Sequence, residues 1–253
     1  MNKELLKPLK WYKSLALLKG RSDAGAFLLE GDRAIRQVFI SQPDAIIEIL
    51  ILEGLSHHYA NYPVRYLTKS QLRDISATTT PQGIIAVVRL PEATYSDQAP
   101  PQPGNKMLLL ADIQDPGNVG TLIRTAAAFG FSGAILSDKC ADPFSPKCVQ
   151  STAGSILSLW LRRTHNYIEL VELLKQRNYI LIAADLNGTS DVAIFSKMDK
   201  FILALGNEAA GLSANILNKS DYRVKIPIDR NQAESLNVAV SGAVLMFLSS
   251  TKS

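Results

Sequence analysis

The chain has 253 residues, of which 47% are hydrophobic and 20% charged, so it can bury the cores of two domains. This composition excludes a disordered or fibrous protein. The formal net charge is +4 and the pI about 9.0, and the excess of basic residues is spread evenly along the chain. Such a mild excess is compatible with a nucleic acid partner but does not require one.

The amino terminus alternates charged residues with leucines and lacks the apolar core of a signal peptide. The longest apolar run, 243–248, is far shorter than the ~20 residues of a membrane helix. Cys140 and Cys148 are too far from any histidine for a usual zinc spacing, and the adjacent His57 and His58 have no third ligand in register. We therefore expect a cytoplasmic protein with free thiols, no metal site and no membrane segment.

The amino-terminal part predicts a small α/β domain over 1–90. A basic amphipathic helix over 3–18, interrupted by Pro8, comes first. Strand and helix patterns then alternate without any catalytic signature. The predicted strands are 26–29, 46–52, 64–67 and 84–90, and the predicted helices are 32–40 and 69–75.

Four prolines within 91–105 mark a linker, and a larger α/β domain is predicted over 106–253. Its apolar runs are typical of buried parallel strands joined by crossover helices. The predicted strands are 107–111, 134–136, 179–184, 201–205 and 222–227, and the predicted helices are 118–129, 168–176 and 238–248.

A tight loop follows the predicted strand over 201–205, where Gly206 and Gly211 flank Glu208. A second loop follows the strand over 222–227 and leads into an apolar helix. Open α/β sheets bind their ligands at the carboxyl ends of the strands. The two loops and the helix start therefore predict a pocket.

A third element follows the first strand of the second domain. Pro116 and Gly117 turn the chain, and Asn118 is placed to cap the helix that it enters. Arg124 lies nearly two turns further, on a different face from Leu122, so its guanidinium can reach outward. Exposed N–H groups at a helix start would also stabilise a phosphate.

Together these elements resemble the SPOUT superfamily, in particular the RNA ribose methyltransferases of the SpoU/TrmH branch. That branch carries the motifs N-x-x-x-x-x-R, G-x-E-x-x-G and I-P…S-L-N-V in this order. The matching residues are Asn118 to Arg124, Gly206 to Gly211 with Glu208, and Ile226-Pro227 with Ser235-Leu236-Asn237-Val238. The resemblance covers 107–250 closely, and the amino-terminal domain resembles, less sharply, the ribosomal-protein-like RNA-binding module of many members.

The resemblance implies a parallel sheet whose carboxyl-terminal part forms a trefoil knot that holds S-adenosylmethionine. It implies methylation of a ribose 2′-hydroxyl, with ribosomal RNA favoured over tRNA by the separate amino-terminal domain, and a homodimer. Backbone groups and apolar side chains of the pocket loops would hold the cofactor. These residues are Leu205, Gly206, Ile226 and Leu236.

The resemblance also places Arg124 nearest the reacting hydroxyl. Because arginine stays protonated in proteins, holding a phosphate and stabilising the developing alkoxide suit it better than accepting the proton. Asn118, Glu208, Ser235 and Asn237 complete the expected site, where the last three orient Arg124, the phosphate or the loops. Helix capping by Ser235 and Asn237, a solvated Glu208 and a surface Arg124 are the structural alternatives.

One loop of this chain departs from the family pattern. The interval 229–234 is one residue longer than the family pattern and lacks its glycine. The turn-rich stretch 142–151 either faces RNA or is a structural connection. A noncatalytic RNA-binding or ribosome-assembly protein is the rival from another class, whereas a dinucleotide enzyme and a serine hydrolase fail because G-x-G-x-x-G and G-x-S-x-G are absent.

Overall fold

The structure is a computed structural model that describes residues 7–189 and 191–250. The chain divides into two compact units, Met1–Glu92 with Asp142–Leu157, and Ala93–Ala141 with Ser158–Ser253. This division differs from the predicted domains, 1–90 and 106–253 around a linker over 91–105, mainly because a segment from the second half joins the first unit.

The first unit has a mixed four-stranded sheet in the order β1-β4-β2-β3. Strand β4 pairs antiparallel with β1 and β2, and β3 pairs parallel with β2. The predicted alternation of strands and helices is confirmed. Its elements up to Glu92 are α1 (Leu9–Ser14), α2 (Leu18–Ala24), β1 (Ala26–Glu30), α3 (Asp32–Ser41), β2 (Ile46–Leu52), β3 (Val64–Leu67), α4 (Lys69–Ile75) and β4 (Ile84–Arg89).

The predicted amino-terminal helix over 3–18 is only partly correct. Residues 3–6 lie outside the described ranges, and the remainder forms the short helix α1, which begins directly after Pro8, with α2 starting at Leu18. Proline lacks an N–H and fixes its own φ, so it is suited to a helix start and not to an interior. Helix α2 ends at Gly25, whose φ of 59° is left-handed.

The segment Asp142–Leu157 completes the first unit by packing and charge pairing. Phe144 is 1% exposed and packs on Phe27, with ring centroids 4.8 Å apart. Arg21, only 2% exposed, forms an ion pair with Asp142. Helix α6 (Pro146–Thr152) lies in this segment. The structure thus favours a structural connection for 142–151.

The second unit is built on a six-stranded sheet in the order β10-β8-β9-β5-β6-β7. Every neighbouring pair is parallel, which confirms the predicted parallel sheet. The trefoil knot stays a prediction. The strands are β5 (Lys106–Leu110), β6 (Gly133–Ser137), β7 (Trp160–Thr164), β8 (Ile180–Ala184), β9 (Phe201–Leu205) and β10 (Tyr222–Val224).

Four helices of the second unit are α5 (Pro116–Ala128), α7 (Tyr167–Lys175), α8 (Ala214–Lys219) and α9 (Val238–Ser250). Helix α9 packs on α5. A Cβ added at Gly242 of α9 would lie 2.3 Å from the Leu122 side chain and 2.9 Å from that of Leu205. A larger residue at 242 would therefore push α9 away from α5 and β9.

The predicted linker is held against the second unit by side-chain donors. Trp160 Nε1 donates to the carbonyl of Pro103 at 2.8 Å, and Arg162 Nε donates to that of Gln98 at 2.7 Å. The Tyr179 hydroxyl donates to the carbonyl of Gly104. Prolines lower the entropy of a linker, and these contacts fix its last part.

No helix within residues 7–189 and 191–250 combines the length and apolar character needed to cross a membrane.

All six strands end at the same edge of the sheet because all are parallel. The chain first runs from β5 through β6 to β7, and then continues on the other side of β5 with β8 and β9. The order of strands therefore reverses between β5 and β9. Ligands of open α/β sheets bind outside the carboxyl ends of strands at such a switch point.

Candidate functional site

Three loops leave the carboxyl edge of the sheet near the switch point. We name them by the strands that they follow: the β5 loop (111–115), the β9 loop (206–213) and the β10 loop (225–237). The β9 and β10 loops carry all the predicted site residues except Leu205, Asn118 and Arg124. Leu205 ends β9, and Asn118 and Arg124 lie on α5, which the β5 loop enters.

The predicted capping role of Asn118 is wrong. Asp115 is the N-cap of α5, and its carboxylate accepts a hydrogen bond from the backbone N–H of Asn118 at 2.9 Å. Pro116 occupies the first helical position, where its fixed φ favours a helix start. The side chain of Asn118 is therefore not needed for capping and projects from the first turn.

The Asn118 side chain instead joins the β9 and β10 loops. Its Nδ2 donates to Glu208 Oε1 at 2.9 Å, and its Oδ1 accepts from Asn237 Nδ2 at 3.2 Å. Only one orientation of the amide satisfies both partners, because a carboxylate cannot donate. We call Glu208, Asn118 and Asn237 the amide bridge.

Asn237 also serves as the cap of α9, as the structural alternative proposed. Its Oδ1 accepts hydrogen bonds from the N–H groups of Ala239 at 2.9 Å and Val240 at 3.3 Å. The capping bond uses the oxygen of the amide, and the bridge uses its nitrogen. The two functions of Asn237 are compatible, and together they fix the start of α9 relative to α5.

Arg124 lies six residues after Asn118 on α5, and its side chain is exposed. Leu122 and Ala126 are buried, so Arg124 is on the opposite, outward face as predicted. Within the ranges that the structure describes, its guanidinium makes no hydrogen bond or ion pair with the protein. An arginine with five free donors is suited to a phosphate or an oxyanion.

A cavity of about 690 Å³ opens between the β9 and β10 loops, the end of β8 and the start of α9. This volume is in the range of small-molecule sites. All four predicted cofactor residues line it, as do Glu208 and Ser235. Three charged residues in the lining were not predicted, namely Asp185, Lys225 and Glu234. Asp185 directly follows β8. It could have been predicted, because ligands of open α/β sheets bind at the carboxyl ends of the strands.

The β9 loop is closed by the approach of its two glycines. A Cβ added at Gly206 would lie 2.3 Å from the carbonyl carbon of Gly211, so the turn requires a glycine there. Asn207 and Gly211 exchange two backbone hydrogen bonds of 3.1 and 2.9 Å. This closed turn holds Glu208 at its tip, toward Asn118.

The longer β10 loop folds on itself without the glycine of the family pattern. Asp229 begins a turn in which its carbonyl accepts from the N–H groups of Gln232 at 3.0 Å and Ala233 at 3.1 Å. Its carboxylate accepts from the N–H of Asn231 at 3.0 Å. An aspartate thus organises the turn by its side chain, as is common in loops.

The thiol beside the β5 loop is buried and in its neutral form. Cys140 is a free cysteine with 2% exposure, and burial raises the pKa of its thiol. Burial also raises the pKa of the neighbouring Tyr167, with a further contribution from Asp112. Both side chains therefore stay neutral near pH 7. The other polar groups of the site are its amides and carboxylates, Lys225, Ser235 and Arg124.

The fold and the site define an α/β protein with a cavity at the carboxyl ends of β8, β9 and β10, on one side of the switch point of a parallel sheet. Residues 105–247 match the model of the SpoU rRNA Methylase family, and residues 7–86 match that of the MRM3-like substrate binding domain. Because the first match covers more than half of the chain, the chain belongs to the SpoU rRNA methylase family.

Named relatives agree with this membership. The chain is 32% identical over 242 residues to the Bacillus subtilis 23S rRNA (guanosine(2553)-2'-O)-methyltransferase RlmP, with 94% of each chain covered. It is 33% identical over 172 residues to the Streptomyces viridochromogenes 23S rRNA (uridine(2479)-2'-O)-methyltransferase, covering 66% of this chain and 59% of that one. The crystal structure of the SpoU methyltransferase AviRb from S. viridochromogenes in complex with AdoMet superposes with a TM-score of 0.84 at 27% identity, covering 99% and 97% of the chains.

Proposed function

We propose that the protein transfers a methyl group from S-adenosylmethionine to a ribose 2′-hydroxyl of ribosomal RNA. The observation that carries the proposal is the amide bridge, which joins the first turn of α5 to the β9 and β10 loops beside a cavity of cofactor size. Positioning accounts for much of the acceleration of a one-step displacement, because the accepting oxygen must lie in line with the methyl group. A rigid connection between the loops serves this requirement.

The cavity suits the proposed cofactor chemically. Leu205, Ile226 and Leu236 offer apolar surface to an adenine ring, and the carboxylates of Asp185 and Glu234 complement cationic groups. When bound, S-adenosylmethionine supplies an electrophilic methyl group on a sulfonium. The residues that line the cavity would hold the ligand.

Arg124 is proposed to hold the RNA next to the cavity. Its exposed guanidinium binds a phosphate oxygen and stabilises negative charge on the ribose oxygen as the hydroxyl proton leaves to solvent. Arg124 does not accept that proton, because arginine remains charged in proteins. The amide bridge fixes the first turn of α5 and so orients the helix that carries Arg124.

The first unit is proposed to bind the RNA substrate. Its described residues contain 12 basic and 9 acidic side chains, whereas those of the second unit contain 13 of each. Although the basic excess is even along the sequence, the net charge of the described residues, +3, lies in the unit that matches a substrate binding domain. Since both named relatives act on 23S rRNA, we propose the large-subunit RNA as the substrate.

A second copy of the chain is proposed to cover α9. Val240 and Phe247, seven residues apart on one face of this helix, are 50% and 52% exposed. Phe247 also packs against Phe129 with ring centroids 6.0 Å apart, which extends the apolar face. Phe247→Glu is expected to give a monomer in light scattering, and Leu173→Glu, at an equally exposed position on α7, is the control. A dimeric Phe247→Glu variant would contradict this arrangement.

The function is tested by incubating the protein with methyl-tritiated S-adenosylmethionine and either 23S rRNA or tRNA transcripts. We expect label in 23S rRNA only, together with heat of association with S-adenosylhomocysteine in calorimetry. Label in tRNA alone would assign a different substrate. Binding of RNA without any transfer would favour the noncatalytic RNA-binding protein.

A further inference from the structure

Asn207 lies beside the amide bridge but is not a member of it. Its side chain is half-buried and makes three hydrogen bonds. Nδ2 donates to the carbonyl of Asp112 in the β5 loop at 2.8 Å. Oδ1 accepts from the N–H groups of Ala209 at 2.9 Å and Ala210 at 3.0 Å. The two N–H donors at Oδ1 and the carbonyl acceptor at Nδ2 fix the orientation of the Asn207 amide. Asn207 therefore helps to shape the β9 loop and also ties it to the β5 loop.

The carbonyl that receives Asn207 is itself held in place. Asp112 has a φ of 60°, in the left-handed region that aspartate enters more readily than most residues. The buried hydroxyl of Ser137 donates to Asp112 Oδ1 at 2.7 Å and accepts from the Asp112 N–H at 2.9 Å. Ser137 therefore holds both the backbone N–H and the side chain of Asp112. The carbonyl of Asp112 in turn accepts the hydrogen bond from Asn207.

We propose that Asn207 is a positioning residue for methyl transfer, which sets Glu208 against Asn118. Glu208 is the next residue in the chain, so any shift of Asn207 relative to the β5 loop is passed directly to the carboxylate. This inference rests on the proposed function, since it names a residue that serves the same reaction.

The closure of the β9 loop does not rest on this side chain alone. Asn207 and Gly211 also exchange two main-chain hydrogen bonds, which do not involve the side chain. A substitution at 207 is therefore expected to leave the loop closed but to free it from the β5 loop. Misplacement of a catalytic group by ~1 Å costs about 100-fold in rate.

Asn207→Asp is the sharpest test because it is isosteric. It retains the oxygen that accepts from Ala209 and Ala210, loses the donor to Asp112, and places negative charge against a carbonyl. We expect kcat to fall between about 10- and 100-fold, with the KM for RNA and the affinity for S-adenosylhomocysteine changed by less than about threefold. We expect the kcat of Asn207→Ala to fall by a similar factor. Asn218 is an exposed asparagine on α8, and Asn218→Ala is the matched control, for which we expect an unchanged kcat.

Wild-type kcat in Asn207→Asp would overturn the proposal, and so would a loss of cofactor affinity as large as the loss of kcat. The second result would mean that Asn207 shapes the cavity and not the bridge. An inactive wild-type protein would instead contradict the proposed function. The thermal midpoint of each variant is measured alongside, so that a change in folding is not read as a change in positioning.

Ser137→Ala tests the other end of the connection. It should also lower kcat, and in combination with Asn207→Asp it should add less than about threefold, because both changes break one chain of contacts. Fully multiplicative losses would show that Ser137 and Asn207 act independently, which would contradict the inferred connection.

Discussion

Replacing Asn118 by aspartate puts a second carboxylate against Glu208. The present contact is a hydrogen bond of 2.9 Å from Asn118 Nδ2 to Glu208 Oε1. A hydrogen bond to a charged group contributes about 1.5 to 3 kcal/mol. Two unit charges at that separation repel by about 1.4 kcal/mol even with the dielectric constant of water, which is appropriate because Glu208 is exposed. The sum of about 3 to 4 kcal/mol predicts a loss of 100- to 1,000-fold in single-turnover methyl transfer.

The double variant Asn118→Asp with Glu208→Gln restores the contact with its polarity reversed. The new amide at 208 donates to the new carboxylate at 118, and Asn237 keeps its acceptor. We therefore expect at least a tenfold recovery over Asn118→Asp alone. In the control background Asn118→Ala, Glu208→Gln has no partner and should give no recovery. If the double variant is as slow as Asn118→Asp, Glu208 does not act by holding position 118, and the account of the amide bridge is wrong.

Three further perturbations follow from the structure. Arg124→Ala should lower methyl transfer at least 100-fold. The affinity for S-adenosylhomocysteine in calorimetry should stay within about threefold, because Arg124 is exposed on α5 and does not line the cavity. Equal turnover in the variant would remove Arg124 from the mechanism. Burial, with the carboxylate of Glu48 adding to it, raises the pKa of Tyr12 to about 12, above the value of about 10 in an unfolded chain, so the neutral form is favoured by folding. The stability that this group contributes is present below pH 10 and is lost as the pH rises toward 12. In thermal melts, Tyr12→Phe should therefore lose less stability than the wild type between pH 9 and about 11. Parallel losses in the two proteins would contradict this. Phe144→Ala should destabilise the first unit by about 3 to 5 kcal/mol in urea unfolding, because it removes a buried ring that packs on Phe27. A loss below about 1 kcal/mol would show that the segment Asp142–Leu157 does not stabilise that unit.

Much of the fold follows from local patterns in the sequence. The strands Ile46–Leu52, Val64–Leu67 and Phe201–Leu205 are predicted residue for residue, because each is an apolar or alternating run bounded by turn signals. Strand β7 was missed, since W-L-R-R-T contains two arginines and no apolar run. Arg162 of this strand is only 8% exposed, and the cost of its burial is offset by a hydrogen bond that it donates to the carbonyl of Gln98. No local sequence pattern can predict such a contact.

Three of the predicted site residues are brought together by the structure, but their connections were not predicted from the sequence. Motif spacing brought Asn118, Glu208 and Asn237 into one hypothesis, and the structure places them in hydrogen-bond contact. The N-cap was assigned to Asn118 and belongs to Asp115, because the proline that follows Asp115 begins the helix. Asn207 gave no signal, since its partner is a backbone carbonyl 95 residues away in sequence. Such a contact depends on strand order and not on residue spacing.

We propose that the start of α5 and the β9 and β10 loops together direct a methyl group to a ribose oxygen. The most direct test is to label 23S rRNA with the protein and methyl-tritiated S-adenosylmethionine, digest the RNA to nucleosides, and separate them by liquid chromatography with mass detection. We predict that the label is recovered in one 2′-O-methylated nucleoside and disappears with Arg124→Ala. Label on a base, or no label from protein that binds S-adenosylhomocysteine and RNA, would contradict the account.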